Sequence, residues 1–358
     1  MHHALEALDM GGVTPFREHR TPERILSWID WEFDGVWSSE AAASGAWWAQ
    51  RKDGTMAGFA AFDARGLAYH WLKAWRGKAH VGIFGPFGIV ESERGGYLGS
   101  ALLHASMFSL RERGYRQALI PAVGDERLVA YYEREAGARI VETVDLDRPR
   151  KRRRATVLAS GSGSNFQAVL DGVAAGTLPL DVSALIVNRE SAYARDRARG
   201  AGVPERVVAW RRSAESREDY DARLLEAVAA TEPDVVLLLG WMHVLSAGFV
   251  ARFPQMLNIH PALLPLDPAA DAVTAPDFTT IPAFRGARAI DDALAAGVAW
   301  AGATVHRVGV AVDRGGVLAR APLRLTPGEP RDELDARLHA LEHRVLAAAI
   351  RRWGWEQP

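Results

Sequence analysis

Residues 155–173 read ATVLASGSGSNFQAVLDGV, and this stretch decides the fold. Positions 155–160 form a nearly unbroken apolar run of strand length. Glycines and serines follow, and then Phe166, Val169, Leu170 and Val173 recur at helical spacing. A strand passing through glycines into a helix opens a βαβ unit. The alternation continues downstream. VSALIVN (182–188), RVVAW (206–210), DVVLLLG (234–240) and MLNIH (256–260) read as short apolar strands, and YDARLLEAV sets Tyr220, Leu224 and Val228 on one helical face. Strands buried on both faces and alternating with helices predict an α/β domain with a parallel sheet wound by right-handed crossovers. GATVHRV (302–308) and VLARAPL (317–323) read as a final strand pair, and residues 331–353 as a closing helix.

The 358 residues suggest two domains of ordinary size. A hydrophobic content of 48% with 24% charged residues is that of globular protein, and no apolar run approaches the roughly 18 residues of a membrane span. The start, MHHALEALDMGG, lacks the basic lead and apolar core of a signal peptide, so a cytoplasmic location is expected. Zero cysteines exclude a disulfide framework and thiolate metal sites, and a net charge of −1 gives no general pull toward nucleic acid or membrane. The basic run RPRKRRR, within 148–154, is expected to be a solvated linker between domains 1–147 and 155–358.

Ligands of parallel sheets bind beyond the C-terminal strand ends. The first such end carries GSGSNF (161–166), where bare backbone N–H groups and a positive helix end suit a phosphate. A dinucleotide fingerprint would need a glycine at Phe166, and a purely structural turn is the other reading. In LNIHPALLP (257–265), Asn258 and His260 share a face at a strand end that Pro261 terminates. A histidine with a pKa near 6.5 can exchange protons at neutral pH, and an amide can donate to a developing oxyanion, so the pair suits acyl transfer. Asp313, in DRGG, is a candidate carboxylate partner or simply a turn former.

NIHPALLP, with DRGG downstream and GSGSN upstream, resembles the 10-formyltetrahydrofolate-dependent formyltransferases, in particular those that formylate glycinamide ribonucleotide in purine synthesis. The resemblance covers about residues 154–353. It implies a Rossmann-like formyltransferase domain with Asn258, His260 and Asp313 as catalytic residues. A phosphate and substrate site would fall on Gly163, Ser164, Asn165, Arg217 and Glu342, and a folate site on Met242, Val244, Leu245 and His306. The implied chemistry is direct attack by an amine on the formyl carbon, with Asn258 and a protonated His260 stabilising the oxyanion, Asp313 raising the pKa of His260 and helping proton movement, and no metal required. The pattern HALEH (339–343) fits a zinc-protease helix, but only 15 residues follow it to supply a third ligand. The partners implied are a phosphorylated small-molecule amine and, as an open assembly state, a second copy of the chain; nucleic acid and membrane are not expected.

Two features depart from that family. Residues 266–282, LDPAADAVTAPDFTTIP, stand where the family passes quickly to a Pro-Gly loop; they read as a cap that alters amine selectivity or as a passive surface loop. The second is the region before the linker. WWAQRKDGTMAGFAAFD predicts a hairpin turning at KDG, AHVGIFGPFGIV a strand, and ESERGGYLGSALLHASMFSLRERG a glycine-rich entry to an amphipathic helix. This order resembles the GNAT superfamily of acetyltransferases. It implies an α/β domain with an acetyl-CoA loop at Arg94, Gly95, Gly96 and Gly99 and a general acid at Tyr132. Tyr97 stands where that loop has a glycine, so an accessory role with weak or absent acetyl transfer is expected. Seven of the 12 tryptophans fall in this region and are expected mostly in its core. The remaining alternatives are an acyl-CoA-dependent enzyme with a scaffold half, and a hydrolase of formyl-folate.

Overall fold

A computed structural model describes residues 13–33, 35–63, 67–144 and 152–357. The chain divides into two compact units, Met1–Asp145 with Trp355–Pro358, and Leu146–Gly354. Among the described residues no helix is long and apolar enough to cross a membrane.

In the first unit, β1 (Val13–Glu18), β2 (Gly45–Arg51), β3 (Met56–Phe62), β4 (Val81–Ile89) and β5 (Gln117–Leu119) form one sheet in that order. Neighbours from β1 to β4 are antiparallel, whereas β4 and β5 are parallel. The β2–β3 hairpin turns at KDG. Gly54 supplies φ +86, and the Asp53 carboxylate accepts from the N–H and hydroxyl of Thr55 at 2.9 and 2.7 Å. The helix Tyr97–Glu112 buries Leu98, Leu102, Leu103 and Leu110 in a core with Trp47, Phe62 and Phe84. The Trp47 indole N–H donates to Ser109 at 2.9 Å, which fixes that helix on the sheet. Trp28, Trp47 and Trp48 are buried, while Trp31 is exposed.

In the second unit, the strands are β6 (Arg153–Ala159), β7 (Leu180–Val187), β8 (Glu205–Val207), β9 (Val235–Leu238), β10 (Met256–His260), β11 (Ala272–Thr274), β12 (Thr280–Pro282), β13 (Trp300–Arg307) and β14 (Val317–Arg324). Seven of them form one sheet in the order β14-β13-β10-β9-β6-β7-β8. The five from β10 to β8 are parallel, and β13 and β14 add an antiparallel edge. The chain runs outward from β6 to β8 and then returns to the other side of β6 as β9. Strand order therefore reverses between β6 and β9, which opens a crevice at their C-terminal ends. Phe166 and Val169 are buried as the helical spacing requires, and Tyr220, Leu224 and Val228 join Leu158, Ile186 and Val236 in one core cluster.

Two expectations need correction. Residues 148–151 lie outside the described residues, but Arg153 and Arg154 are part of β6 rather than linker. The Arg154 N–H donates to Asp234 at 2.8 Å, and its guanidinium reaches the carbonyls of Thr231 and Glu232 at 2.8 and 3.2 Å. These carbonyls lie just past the helix Arg217–Ala229, so the charge is used where helix C-termini favour cations. The segment 266–282 is not a passive loop. It contains the β11–β12 hairpin, whose Val273 and Ile281 are buried against Leu263 and Trp300, and the Trp300 indole N–H donates to Asp277 at 2.8 Å.

Candidate active site

A cavity of about 480 Å³ opens at the reversal point. It is lined by the loop after β6, the loop after β9, the end of β10, His306 of β13, Asp313, and the helix residues His339 and Glu342. Asn258 and His260 stand two apart on β10, and antiparallel pairing sets Asn258 opposite His306 and His260 opposite Thr304. Register alone thus brings two distant segments together.

Asp313 joins them from a turn in which it adopts φ +52, a left-handed conformation that Asp tolerates better than most residues. A Cβ at Gly315 would stand 1.5 Å from the Arg307 carbonyl oxygen, so only glycine closes this turn. One Asp313 oxygen accepts from the Gly286 N–H at 2.8 Å and lies 3.5 Å from His260 Nδ1; the other lies 3.4 Å from His306 Nε2. His306 Nδ1 is 2.8 Å from the Arg307 carbonyl and must donate to it. In neutral His306, Nε2 then accepts from the Asn258 amide at 3.2 Å, and the same amide nitrogen reaches Asp313 at 3.4 Å.

His260 is buried, and its Nε2 donates to the Phe284 carbonyl at 2.8 Å. Nδ1 faces the carboxylate, so a proton arriving there would find a partner. The expectation that Asp313 raises the His260 pKa holds for its own contribution but not for the sum. Burial lowers the pKa below the usual 6.5, and the repulsion of His306 and Arg285 adds to it, outweighing Asp313 and the Phe284 carbonyl. For Asp313, burial works upward, but contact with His306, the charge of His260 and the Gly286 N–H outweigh it and bring the carboxyl to about 2.

Elsewhere in the cavity lining, Gly163 precedes the helix Ser164–Ala174 at φ +71, and no side chain caps that helix end. A Cβ at Gly163 would stand 2.7 Å from the Ala194 Cβ. Gly163, Ser164 and Asn165 line the cavity with Glu342, whose carboxylate accepts from the Asn165 amide at 3.1 Å. Burial pushes the Glu342 pKa up. Asn165 Oδ1 is buried without a partner. Met242 and Val244 line the cavity yet are more than half exposed, and Leu245 beside them is buried. Arg217 does not line the cavity; it donates to the Val244 carbonyl and, at 2.8 Å, to Asp221. His339 and His343 stack 6.5 Å apart, and no metal-binding cluster of three His, Cys, Asp or Glu occurs among the described residues.

The Phe284 carbonyl, the Gly286 N–H and His339 were not legible as site groups. The first two act through backbone, which a sequence motif does not mark, and His339 reads from the sequence only as half of a zinc pair. No residue of 266–282 lines the cavity, so the hairpin is not a cap.

In the first unit, Arg94 donates to the Ile89 carbonyl at 3.1 Å, and Gly95 has φ +83. Gly96 immediately precedes the helix Tyr97–Glu112, and the side chain of Tyr97 is almost fully exposed. Tyr132 is buried edge-to-face on Phe84, and burial raises its phenol pKa. The hydroxyl next to Gly99 belongs to Tyr131, 3.2 Å from where a Cβ would be.

The family profile described as Formyl transferase matches residues 153–275 and 279–350. Phosphoribosylglycinamide formyltransferase of Mycobacterium tuberculosis is 39% identical over 200 residues, which cover 55% of this chain and 83% of that protein. The trifunctional purine biosynthetic protein adenosine-3 of Drosophila melanogaster is 36% identical over 203 residues, 56% of this chain but 14% of the fly protein. Glycinamide ribonucleotide transformylase 1 from Symbiobacterium toebii matches with a TM-score of 0.50 at 35% identity, covering 61% of this chain and 92% of that one.

Proposed function

The chain belongs to the formyl transferase family, and from that membership we propose that it transfers the formyl group of 10-formyltetrahydrofolate to a primary amine, with glycinamide ribonucleotide as acceptor. The observation that carries this reading is the meeting of Asn258, His260 and Asp313 in a cavity that the uncapped glycine loop also lines. Met242, Val244 and Leu245 offer an apolar edge suited to a folate ring, and the amides of Gly163 to Asn165 suit a phosphate.

In this mechanism the amine lone pair attacks the formyl carbon, and the carbonyl electrons move onto oxygen. Asn258 turns an amide hydrogen from His306 or Asp313 toward that oxyanion. His260, neutral at pH 7, takes the proton released by the attacking nitrogen at Nδ1, where Asp313 stabilises the imidazolium. Collapse breaks the bond between carbon and the folate nitrogen, which receives the proton. The products are a formamide and tetrahydrofolate, and no enzyme nucleophile is needed.

The test is turnover of purified protein with 10-formyltetrahydrofolate and either glycinamide ribonucleotide or the same amine without its phosphate. Phosphate-dependent turnover is expected. Equal rates with both would remove the phosphate role, and acceptor-independent release of formate would make the chain a hydrolase. Gly163→Ala is expected to raise the acceptor KM about tenfold or more, because a left-handed side chain costs ~1 kcal/mol or more and this one also collides with Ala194. Steady-state kinetics and a melting curve measure the two effects separately.

For the first unit we infer a GNAT-like acetyltransferase fold serving an accessory role. In support, β4 and β5 pair in parallel only to Ile83 and Leu119, while β4 continues to Ile89 and leads through the glycine loop into a helix. Sequence spacing alone marks no carboxylate as a base, and Tyr132 is buried. The 358-residue chain is expected to transfer little or no acetyl group from acetyl-CoA to amines. Micromolar binding by calorimetry together with Tyr132-dependent acetylation would instead make the chain bifunctional.

A further inference from the structure

We propose that Arg285 is a positioning residue that ties the inserted hairpin to the turn carrying Asp313, so that 266–282 acts on the chemistry from behind the site rather than by covering it. The inference rests on the formyl-transfer reading for its kinetic consequence, although its geometry stands independently. Residues 284–286 reach the proposed catalytic pair one after another. The Phe284 carbonyl holds His260 Nε2 at 2.8 Å, Arg285 Nε donates to the Asp313 carbonyl at 3.3 Å, and the Gly286 N–H holds the Asp313 carboxylate at 2.8 Å. The same guanidinium donates through Nη1 to Asp271 at 3.1 Å and through Nη2 to the Ala270 carbonyl at 2.7 Å. Both acceptors belong to the inserted segment.

A second arginine repeats the connection from the other end. Arg314, next to Asp313, donates to the carbonyls of Pro268 and Ala269 at 3.0 and 3.3 Å and pairs with Asp271. The Ala283 N–H also donates to the Asp271 carbonyl at 2.9 Å. The Asp313 turn is thus held from both sides by the start of the insert, whose far end is buried on Trp300. Such a clamp matters because Asp313 sits at a positive φ in a turn, where small rotations would swing its carboxylate away from His260 Nδ1. The planar fork of arginine engages three acceptors at once, which a lysine ammonium on a flexible stem does not reproduce. Since the Asp271 side chain is 77% exposed, the ion pairs themselves add little stability, so the effect belongs in geometry.

Arg285→Ala is expected to lower kcat about tenfold or more while leaving both KM values and the melting temperature nearly unchanged, with partial recovery in Arg285→Lys. The acid limb of the kcat profile should move to lower pH, because release of the Asp313 carboxylate from Nδ1 removes an upward influence on the His260 pKa that exceeds the opposing influence of the Arg285 charge. A group that merely stabilised the fold would lower the melting temperature without moving that limb. An independent readout is the ring N–H proton of His260 in NMR spectra, assigned by its loss in His260→Ala. Its slow exchange, conferred by the Phe284 carbonyl, should be lost in Arg285→Ala. Retained slow exchange together with wild-type kcat would overturn the proposal. If wild-type protein transferred no formyl group, the functional reading would fall, and the NMR comparison would still decide the positioning role.

Discussion

His260→Ala should reduce formyl transfer by about 10²–10³-fold while leaving the protein folded. The expectation follows from what the ring does at each nitrogen. Nε2 is committed to the Phe284 carbonyl, and Nδ1 is the ring's free basic atom and faces the Asp313 carboxylate. Removing the ring deletes the proton acceptor, and acid–base groups of this kind typically contribute on the order of 10²–10⁴ in rate. The lower part of that range applies because Asn258 would still donate to the oxyanion. The fold should survive, since Asp313 keeps the Gly286 N–H and its contact with His306. Turnover at saturating donor and acceptor, beside a circular dichroism melt, tests both halves. Near-wild-type turnover in a folded variant would sink the assigned mechanism.

Asp313→Asn should cost on the order of 10²-fold or more in kcat. This substitution isolates charge, because Asn also tolerates the left-handed φ of +52 and its amide oxygen can still accept from Gly286. The pH dependence has a definite sign. In the proposed mechanism activity requires neutral His260, whose pKa lies below the usual 6.5, so the acid limb should fall below that value. Asp313 is an upward influence on the His260 pKa, and removing it should move the limb to still lower pH as kcat falls. Stability changes in a different window. The Asp313 pKa is depressed from 3.8 to about 2, so its contribution is fully present above about 3.8 and is lost as pH falls toward 2. The asparagine variant should lack that component of acid denaturation. An unmoved acid limb would separate Asp313 from His260 ionisation.

How much of this was legible in the sequence depended on whether side chains or surroundings carry the information. Apolar runs revealed the strands of the second unit because strands buried on both faces cannot hide their composition, and the Asn258–His260 spacing identified a shared face because the period of a strand is fixed. The Arg153–Arg154 boundary was missed since charge normally marks solvent, whereas Arg154 is spent on carbonyls past a helix end. The net direction of the His260 pKa was missed for a similar reason: a carboxylate partner can be guessed from a motif, but the depth of burial that outweighs it cannot. Strand β1 gave no signal because VTPFRE is short, carries a proline and is half polar, and its place at the sheet edge comes from pairing with β2. The hairpin in 266–282 was obscured by proline and aspartate, which usually mark loops.

The antiparallel pairing of β10 with β13 has a consequence for folding order and for tolerance of added sequence. Asn258 and His306 face each other only after the connection over residues 261–299 has closed, so the proposed catalytic set is assembled by one of the longer closures in its unit. Loop-closure entropy grows only logarithmically with length, and residues 266–282 account for merely about 0.5 kcal/mol of that cost. Burial of Val273 and Ile281 lies on the opposite side of the balance. A chain can therefore lengthen between these strands at small thermodynamic cost while the strand register keeps the reacting groups in place, which makes this connection a site where new sequence can accumulate beside unchanged chemistry.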